Sequence, residues 1–265
     1  MSNNFCLYSG SSNVGLSNIN EDFIMINEFD NDLIYASIAD GLGATMKDVN
    51  SDAIDANPAS IASIQTCQVL RRIYQKNKAL FMENPRIFME EAMLAANNIL
   101  IGFKMANEQK YYGFASTLTA LFLTEDGKVT FGHCGNTRIY LISKGRISQI
   151  TKDHTLGQKM VDQGYMSQDE YYMSNEKKNL YNGLGIIPEP TIQTYSFQLK
   201  SNDILLMTSD GIHYSLREEG IFQILQDSDN PDDAVQSLIN SVLNLKNYRD
   251  NISANVLWYI GENSL

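Results

Sequence analysis

Short apolar runs broken by turn residues dominate the first third of the chain. Residues 5–9 and 22–29 are rich in β-forming side chains. The turn Asp30-Asn31-Asp32 leads into a third run, Leu33-Ile34-Tyr35-Ala36-Ser37-Ile38-Ala39. The period then lengthens. Over residues 60–78, Ile61, Ile64, Val69, Leu70 and Ile73 fall at roughly helical spacing, with Pro58 near the start. A second helical run opens at Pro85 and puts Phe88, Met89, Ala92, Ala95, Ala96 and Ile99 on one side. Both stripes read as core faces.

Strand patterns resume over residues 116–123 and 129–134, joined by Glu125-Asp126-Gly127-Lys128 as a hairpin. A second hairpin links residues 138–143 and 146–150 through Lys144-Gly145. Residues 153–179 are polar and rich in Met and Tyr, which predicts two short helices inserted on the surface of a β-rich region. Strands are expected over 191–199 and 203–208, amphipathic helices over 218–226 and 232–244, and a last strand over 252–260. Pro231 opens the second of these helices. The order shows no regular βαβ alternation, so a mainly antiparallel α+β fold is favoured. No repeat or linker divides residues 1–265, and one domain is expected.

Three aspartates stand at the ends of apolar runs. Asp40 closes residues 33–39, Asp210 closes Ile204-Leu205-Leu206-Met207-Thr208-Ser209, and Asp250 precedes the last strand. Asp40-Gly41 and Asp210-Gly211 share a dipeptide. A carboxylate at the edge of a buried strand costs desolvation energy unless a positive partner offsets it. Repeated acidic strand ends suggest hard, oxygen-preferring cations, and Mg²⁺ or Mn²⁺ fit best.

The formal net charge of -11 argues against nucleic acid and anionic membrane surfaces as partners. With 43% hydrophobic residues among 265, the chain can bury a substantial core. Cys6, Cys67 and Cys134 are far apart and odd in number, which favours a reducing, cytoplasmic setting. Neither a signal-peptide pattern nor a transmembrane stretch is expected.

In order along the chain, the motifs resemble the metal-dependent serine/threonine phosphatases of the PPM (protein phosphatase 2C) type, nearly end to end. Asn20-Glu21-Asp22-Phe23 resembles the early acidic motif of that family. Ala39-Asp40-Gly41-Leu42-Gly43 resembles its V-A-D-G-x-G element, and Gly113-Phe114-Ala115-Ser116-Thr117-Leu118-Thr119-Ala120 its G-T-T strand. Gly135-Asn136-Thr137-Arg138-Ile139-Tyr140 is similar to G-D-S-R-x-Y, and Lys152-Asp153-His154-Thr155 to the D-H-S element before the flap. Ser209-Asp210-Gly211 and Asp250-Asn251-Ile252 complete the series. A lone Asp-Gly is usually a turn; seven motifs in order are a strong signal.

The resemblance implies a four-layer α/β/β/α sandwich: two mainly antiparallel sheets flanked by helical pairs, with a flap-like insertion at about 153–190. It implies two Mg²⁺ or Mn²⁺ ions in a cleft at one end. Carried over, Asp40 would bridge the ions, Asp210 and Asp250 would complete one, and Glu21 with the Gly41 carbonyl would serve the other. Gly41 would let the chain turn close to the ion. Asp22 would stand one step behind. A metal-bridging water would then hydrolyse phosphoserine or phosphothreonine in a phosphoprotein, opposing a serine/threonine kinase.

Several positions depart from the family. Ser17 stands where an arginine usually grips the phosphate, and cannot supply its charged fork. Ala44-Thr45-Met46-Lys47-Asp48 replaces a glycine- and histidine-rich stretch, and Leu42 a histidine of animal members. Asn136 replaces an aspartate, leaving a third ion without its carboxylate. Ser17 and Asn136 favour the alternative, a phosphatase-fold binding or regulatory protein with weak or no turnover. The retained metal acids favour the enzyme. His133, His154 and His213 form no ligand set of their own. His154 is expected to be structural at the base of the flap, Arg138 to support the fold near the site, and Ser116 and Thr117 to pack in a strand.

Overall fold

A computed structural model describes residues 2–3, 5–29, 33–43, 57–106, 110–111, 113–245 and 250–261. The turn expected at 30–32 and the stretch 44–48 lie outside them. Twelve strands are described: β1 (Ser2–Asn3), β2 (Cys6–Asn13), β3 (Asp22–Phe29), β4 (Leu33–Leu42), β5 (Ala115–Ser116), β6 (Leu118–Thr124), β7 (Lys128–Cys134), β8 (Arg138–Ser143), β9 (Arg146–Gln149), β10 (Gln193–Gln198), β11 (Ile204–Thr208) and β12 (Ile252–Tyr259). One sheet runs β1-β2-β12-β11-β8-β9; the other runs β10-β7-β6-β4-β3, with β5 paired to the end of β4. The pairings are antiparallel.

Helices α1 (Pro58–Lys76), α2 (Lys78–Glu83) and α3 (Pro85–Ala106) cover the second sheet. Helices α6 (Asp210–Asp227) and α7 (Pro231–Leu243) cover the first. Between β9 and β10 lie α4 (Leu156–Asp162), α5 (Gln168–Met173) and a 3-10 turn, Asn175–Lys178. The result is the α/β/β/α sandwich expected from the sequence, with one apolar layer between the sheets and one under each helical pair.

The alternation of strand side chains positions the site. In β4, Tyr35 and Ala39 pack under α1–α3, while Ile34, Ala36 and Ile38 pack between the sheets. Asp40 continues the second row. In β3, Asp22 continues the row of Ile24 and Ile26; in β12, Asn255 and Ser253 continue the row of Tyr259 and Leu257. At one end, therefore, the space between the sheets changes from apolar to polar. A short ladder runs through it: Asn20 Nδ2 donates to Ser12 Oγ at 2.7 Å, Ser12 Oγ meets Ser253 Oγ at 2.7 Å, and Ser253 Oγ donates to Asp22 Oδ2 at 2.7 Å.

Four differences from the expected elements have local causes. β2 runs on to Asn13 because its polar half, Gly10 to Asn13, pairs with β12. β4 continues through Asp40 to Leu42, where Gly41 and Leu42 pair with β5. α2 separates the two long helices and inserts Phe81 against Phe122 at 4.6 Å between ring centroids. α6 begins at Asp210 rather than near residue 218. Gly211, His213, Tyr214 and Ser215 are weak helix formers, and Arg217 breaks the helix with φ 54 and ψ 175.

Candidate metal centre

Five carboxylates from four segments meet at the polar end of the sandwich. Asp22 and Asp40 are direct partners across the β3–β4 register. Glu21 immediately precedes β3, Asp210 is the first residue of α6, and Asp250 leads into β12. Burial, and then the charges of Asp22, Asp210, Asp250 and Glu21, push the Asp40 carboxyl well above its ordinary range. Burial pushes Asp22 up to about 7, against hydrogen bonds from Ser253 and Ser209 and aided by Asp210 and Asp250. Asp210 rises to about 6, mainly through burial and then through Asp250, with Lys178 acting the other way. Glu21 is raised by burial, opposed by a hydrogen bond from Asn57 and reinforced by Asp250.

The main chain holds these acids in place. Asp40 N–H donates to Thr117 Oγ1 at 2.8 Å, and Asp40 O accepts from Thr117 N–H at 2.9 Å and Ser116 Oγ at 3.1 Å. Ser116 and Thr117, expected only to pack, therefore clamp the Asp40 backbone. Asn251 was not singled out by the sequence beyond its motif. Its Oδ1 accepts from Glu21 N–H at 2.8 Å, and its Nδ2 donates to Val14 O at 2.9 Å and Ile19 O at 3.1 Å. It ties the 14–21 loop to Asp250. The Asp-Asn dipeptide was the available signal.

The two Asp-Gly glycines are explained by close backbone approach. A Cβ on Gly41 would lie 1.9 Å from Ala59 O, and one on Gly211 would lie 2.0 Å from Asn251 O. Gly41 is thus required by the start of α1 crossing β4, where the sequence suggested freedom to turn.

Among the described residues, no three His, Cys, Asp or Glu side chains are drawn into a closed ligand set. An ammonium stands at the acids instead. Lys178 Nζ donates to Asp250 Oδ2 and lies 3.7 Å from Asp210 Oδ2. Burial would lower the Lys178 pKa, but Asp210 and Asp250 outweigh it and hold the side chain charged. Mutually repelling, desolvated carboxylates that already attract a cation fit Mg²⁺ or Mn²⁺ in donor chemistry: all donors are oxygens, and their charges cluster. Lys178 was invisible in the sequence because residues 156–179 carry no readable motif.

The remaining candidates have other partners. Arg138 and Asp153 are fully buried and bidentate, with Nε to Oδ1 at 2.8 Å and Nη2 to Oδ2 at 2.7 Å. Tyr171 Oη also donates to Asp153 at 2.6 Å. Burial favours the neutral Asp153 carboxyl, but Arg138 overrides it and lowers the group to about 2. Arg138 thus joins β8 to the segment carrying α4 and α5. His154 Nδ1 accepts from Gly135 N–H at 3.1 Å and bonds Asn182. His133 bonds Thr119 and the Lys152 carbonyl. Asn136 is buried, and its Oδ1 has no hydrogen-bond partner among the described residues. Ser17 lies in the turn after β2, where its N–H donates to Val14 O at 3.3 Å. Leu42 ends β4, paired with Ala115.

A sandwich with an acid cluster at one end and a helical segment beside it defines a class. A putative protein phosphatase 2C-type protein of Streptococcus pyogenes is 25% identical over 240 residues, covering 88% of this chain and 89% of that protein. A Streptococcus agalactiae serine/threonine phosphatase structure superposes with TM-score 0.84 at 23% identity, covering 96% of this chain and 100% of that one. The catalytic domain of the phosphatase PstP, solved in complex with two manganese ions, superposes with TM-score 0.78 at 23% identity, covering 97% and 99%. No protein-family model matches the sequence. In sequence this chain is thus similar to a protein phosphatase 2C-type protein, and its fold is that of the serine/threonine phosphatase structures.

Proposed function

We propose that this protein hydrolyses phosphoserine and phosphothreonine in phosphoproteins with Mg²⁺ or Mn²⁺ as cofactor. The observation that carries the reading is the gathering of five carboxylates, Glu21, Asp22, Asp40, Asp210 and Asp250, at one end of the sandwich, where burial and then neighbouring charge raise Glu21, Asp22, Asp40 and Asp210. Asp40, Asp210 and Asp250 are the principal ligands. Glu21 and the Gly41 carbonyl complete the set, and Asp22 orients Asp40 from the facing strand. When bound, two such ions supply Lewis acidity and an activated water for attack on phosphorus. The chain supplies the rest. Ser116 and Thr117 fix Asp40, Asn251 fixes the loop carrying Glu21, and the buried Asp210 stands at the head of a helix packed on the first sheet.

The substrates are those left by a serine/threonine kinase, and the protein acts in the cytoplasm. No helix of the described residues is long and apolar enough to cross a membrane. Phosphate release from a phosphothreonine peptide with Mn²⁺, compared with EDTA and with small phosphate esters, tests the proposal. Metal-dependent release that prefers the peptide is expected; no release with saturating Mn²⁺ refutes it.

A further inference from the structure

The acid cluster has a cation of its own. Both ion pairs that the described residues make with the cluster come from Lys178. Its backbone is fixed on both sides. Tyr214 Oη donates to Lys177 O at 2.6 Å, and Leu156 N–H donates to Asn179 O at 2.8 Å. Tyr214 belongs to α6, the helix that begins at Asp210, so the same element carries a cluster acid and braces the lysine. The Lys178 side chain is 52% exposed, so it borders solvent while its ammonium pairs with the acids, at what serves as the mouth of the site.

Such an ammonium has three donors, and the two carboxylates can use only part of them. Once divalent cations neutralise Asp210 and Asp250, the hold of those acids on Lys178 weakens. Its charge then faces whatever anion enters the mouth. The neighbouring loop, Val14 to Asn20, offers no charged side chain at all, although Asn251 ties it beside Asp250.

Resting on the reading above, we infer that Lys178 is a phosphate-binding residue of this site, donating to a non-bridging phosphoryl oxygen of the bound substrate. A single ammonium acts as a point charge and tolerates varied phosphate orientations, unlike a guanidinium fork. It therefore contributes to holding the substrate more than to the bond-breaking step, and its loss is expected in KM before kcat.

The test uses the full chain saturated with Mg²⁺ and inorganic phosphate as the probe, titrated by calorimetry. Lys178→Ala is expected to weaken phosphate binding roughly ten- to a hundredfold, the range for a hydrogen bond to a charged group. Lys178→Arg should stay within about threefold of the parent, since charge is kept. The phosphothreonine-peptide KM should rise in parallel, with kcat changed less. Metal affinity without phosphate is measured on the same variants. If Lys178→Ala tightens Mn²⁺ binding and leaves phosphate affinity unchanged, the lysine is only a counterion of the empty acids, and the inference is overturned. If Lys178→Met, which keeps most of the stem, binds phosphate like the parent, it is also overturned. Phosphate binding by a parent protein that fails to hydrolyse the peptide would refute the activity while leaving the Lys178 assignment standing.

Discussion

Asp22 and Asp40 face each other directly across the β3–β4 pairing, both on the inter-sheet side of the sandwich. Like charges opposed on antiparallel strands repel. Here both groups are also desolvated, so the pair is stable only with protons or a cation present.

The first prediction follows from that opposition. Asp40→Asn removes the charge facing Asp22, so the metal-free protein should melt at a higher temperature than the parent. Metal affinity should fall at least tenfold to a hundredfold, the loss typical even for groups one step removed from a metal. Calorimetric Mn²⁺ titration and thermal melts in EDTA check the two halves. Unchanged Mn²⁺ affinity would remove Asp40 from the ligand set.

Metal binding should release protons. In the metal-free protein Asp22 sits at about 7 and Asp210 at about 6, both raised from 3.8. A raised carboxyl stabilises the folded state below its unfolded value, and that contribution is lost as pH rises through the folded value. Between pH 5 and 8 the empty cluster therefore becomes less favourable while its metal affinity increases. Mn²⁺ titrations at pH 6 in two buffers of different ionisation enthalpy should show net proton release that declines toward pH 8. Equal apparent enthalpies in both buffers at pH 6 would contradict this.

The Arg138–Asp153 pair gives a stability prediction. Asp153→Asn leaves a fully buried guanidinium short of a charge partner, and should cost about 3–5 kcal/mol in denaturant unfolding. Because Asp153 is lowered to about 2, its contribution persists at pH 5 and is lost only as pH falls toward that value. A loss below about 1 kcal/mol at pH 7 would show that the tyrosines carry this junction instead.

Glycines at the site and away from it should behave oppositely. Gly211→Ala forces a methyl to 2.0 Å from the Asn251 carbonyl, and should destabilise by at least about 1–3 kcal/mol while weakening metal binding through Asn251. Gly102, in α3, has open space where a Cβ would go. Gly102→Ala should stabilise by roughly 0.5–1 kcal/mol. Melting curves of the two variants, measured together, decide it.

Most elements of the fold were legible because they depend on short-range pattern. Alternating apolar residues marked the strands, and helical stripes marked α1, α3 and α7. Elements without a strong stripe were harder to read. The first half of α6 holds Gly211 and Ser215 before a backbone break at Arg217, and α2 is only six residues long. Asp40, Asp210 and Asp250 were legible as candidates because a carboxylate at the edge of an apolar run needs an explanation, whereas Glu21 was legible only through the resemblance of its motif.

Composition and alternation by themselves determined a mainly antiparallel α+β chain with acids at the ends of apolar runs; the stacking into two sheets came from the resemblance of its motifs. The alternation was readable because burial preference is a property of each residue and repeats with the period of its element. Only the tertiary structure decided what those acids face. Lys178 reaches Asp250 across 72 positions of sequence, and Asn251 braces Glu21 across 230. Such contacts depend on how α4, α5 and α6 pack together, and no local period encodes that distance. The same holds for Gly41, whose missing side chain is explained by the Ala59 carbonyl of a helix that the strand pattern does not foresee.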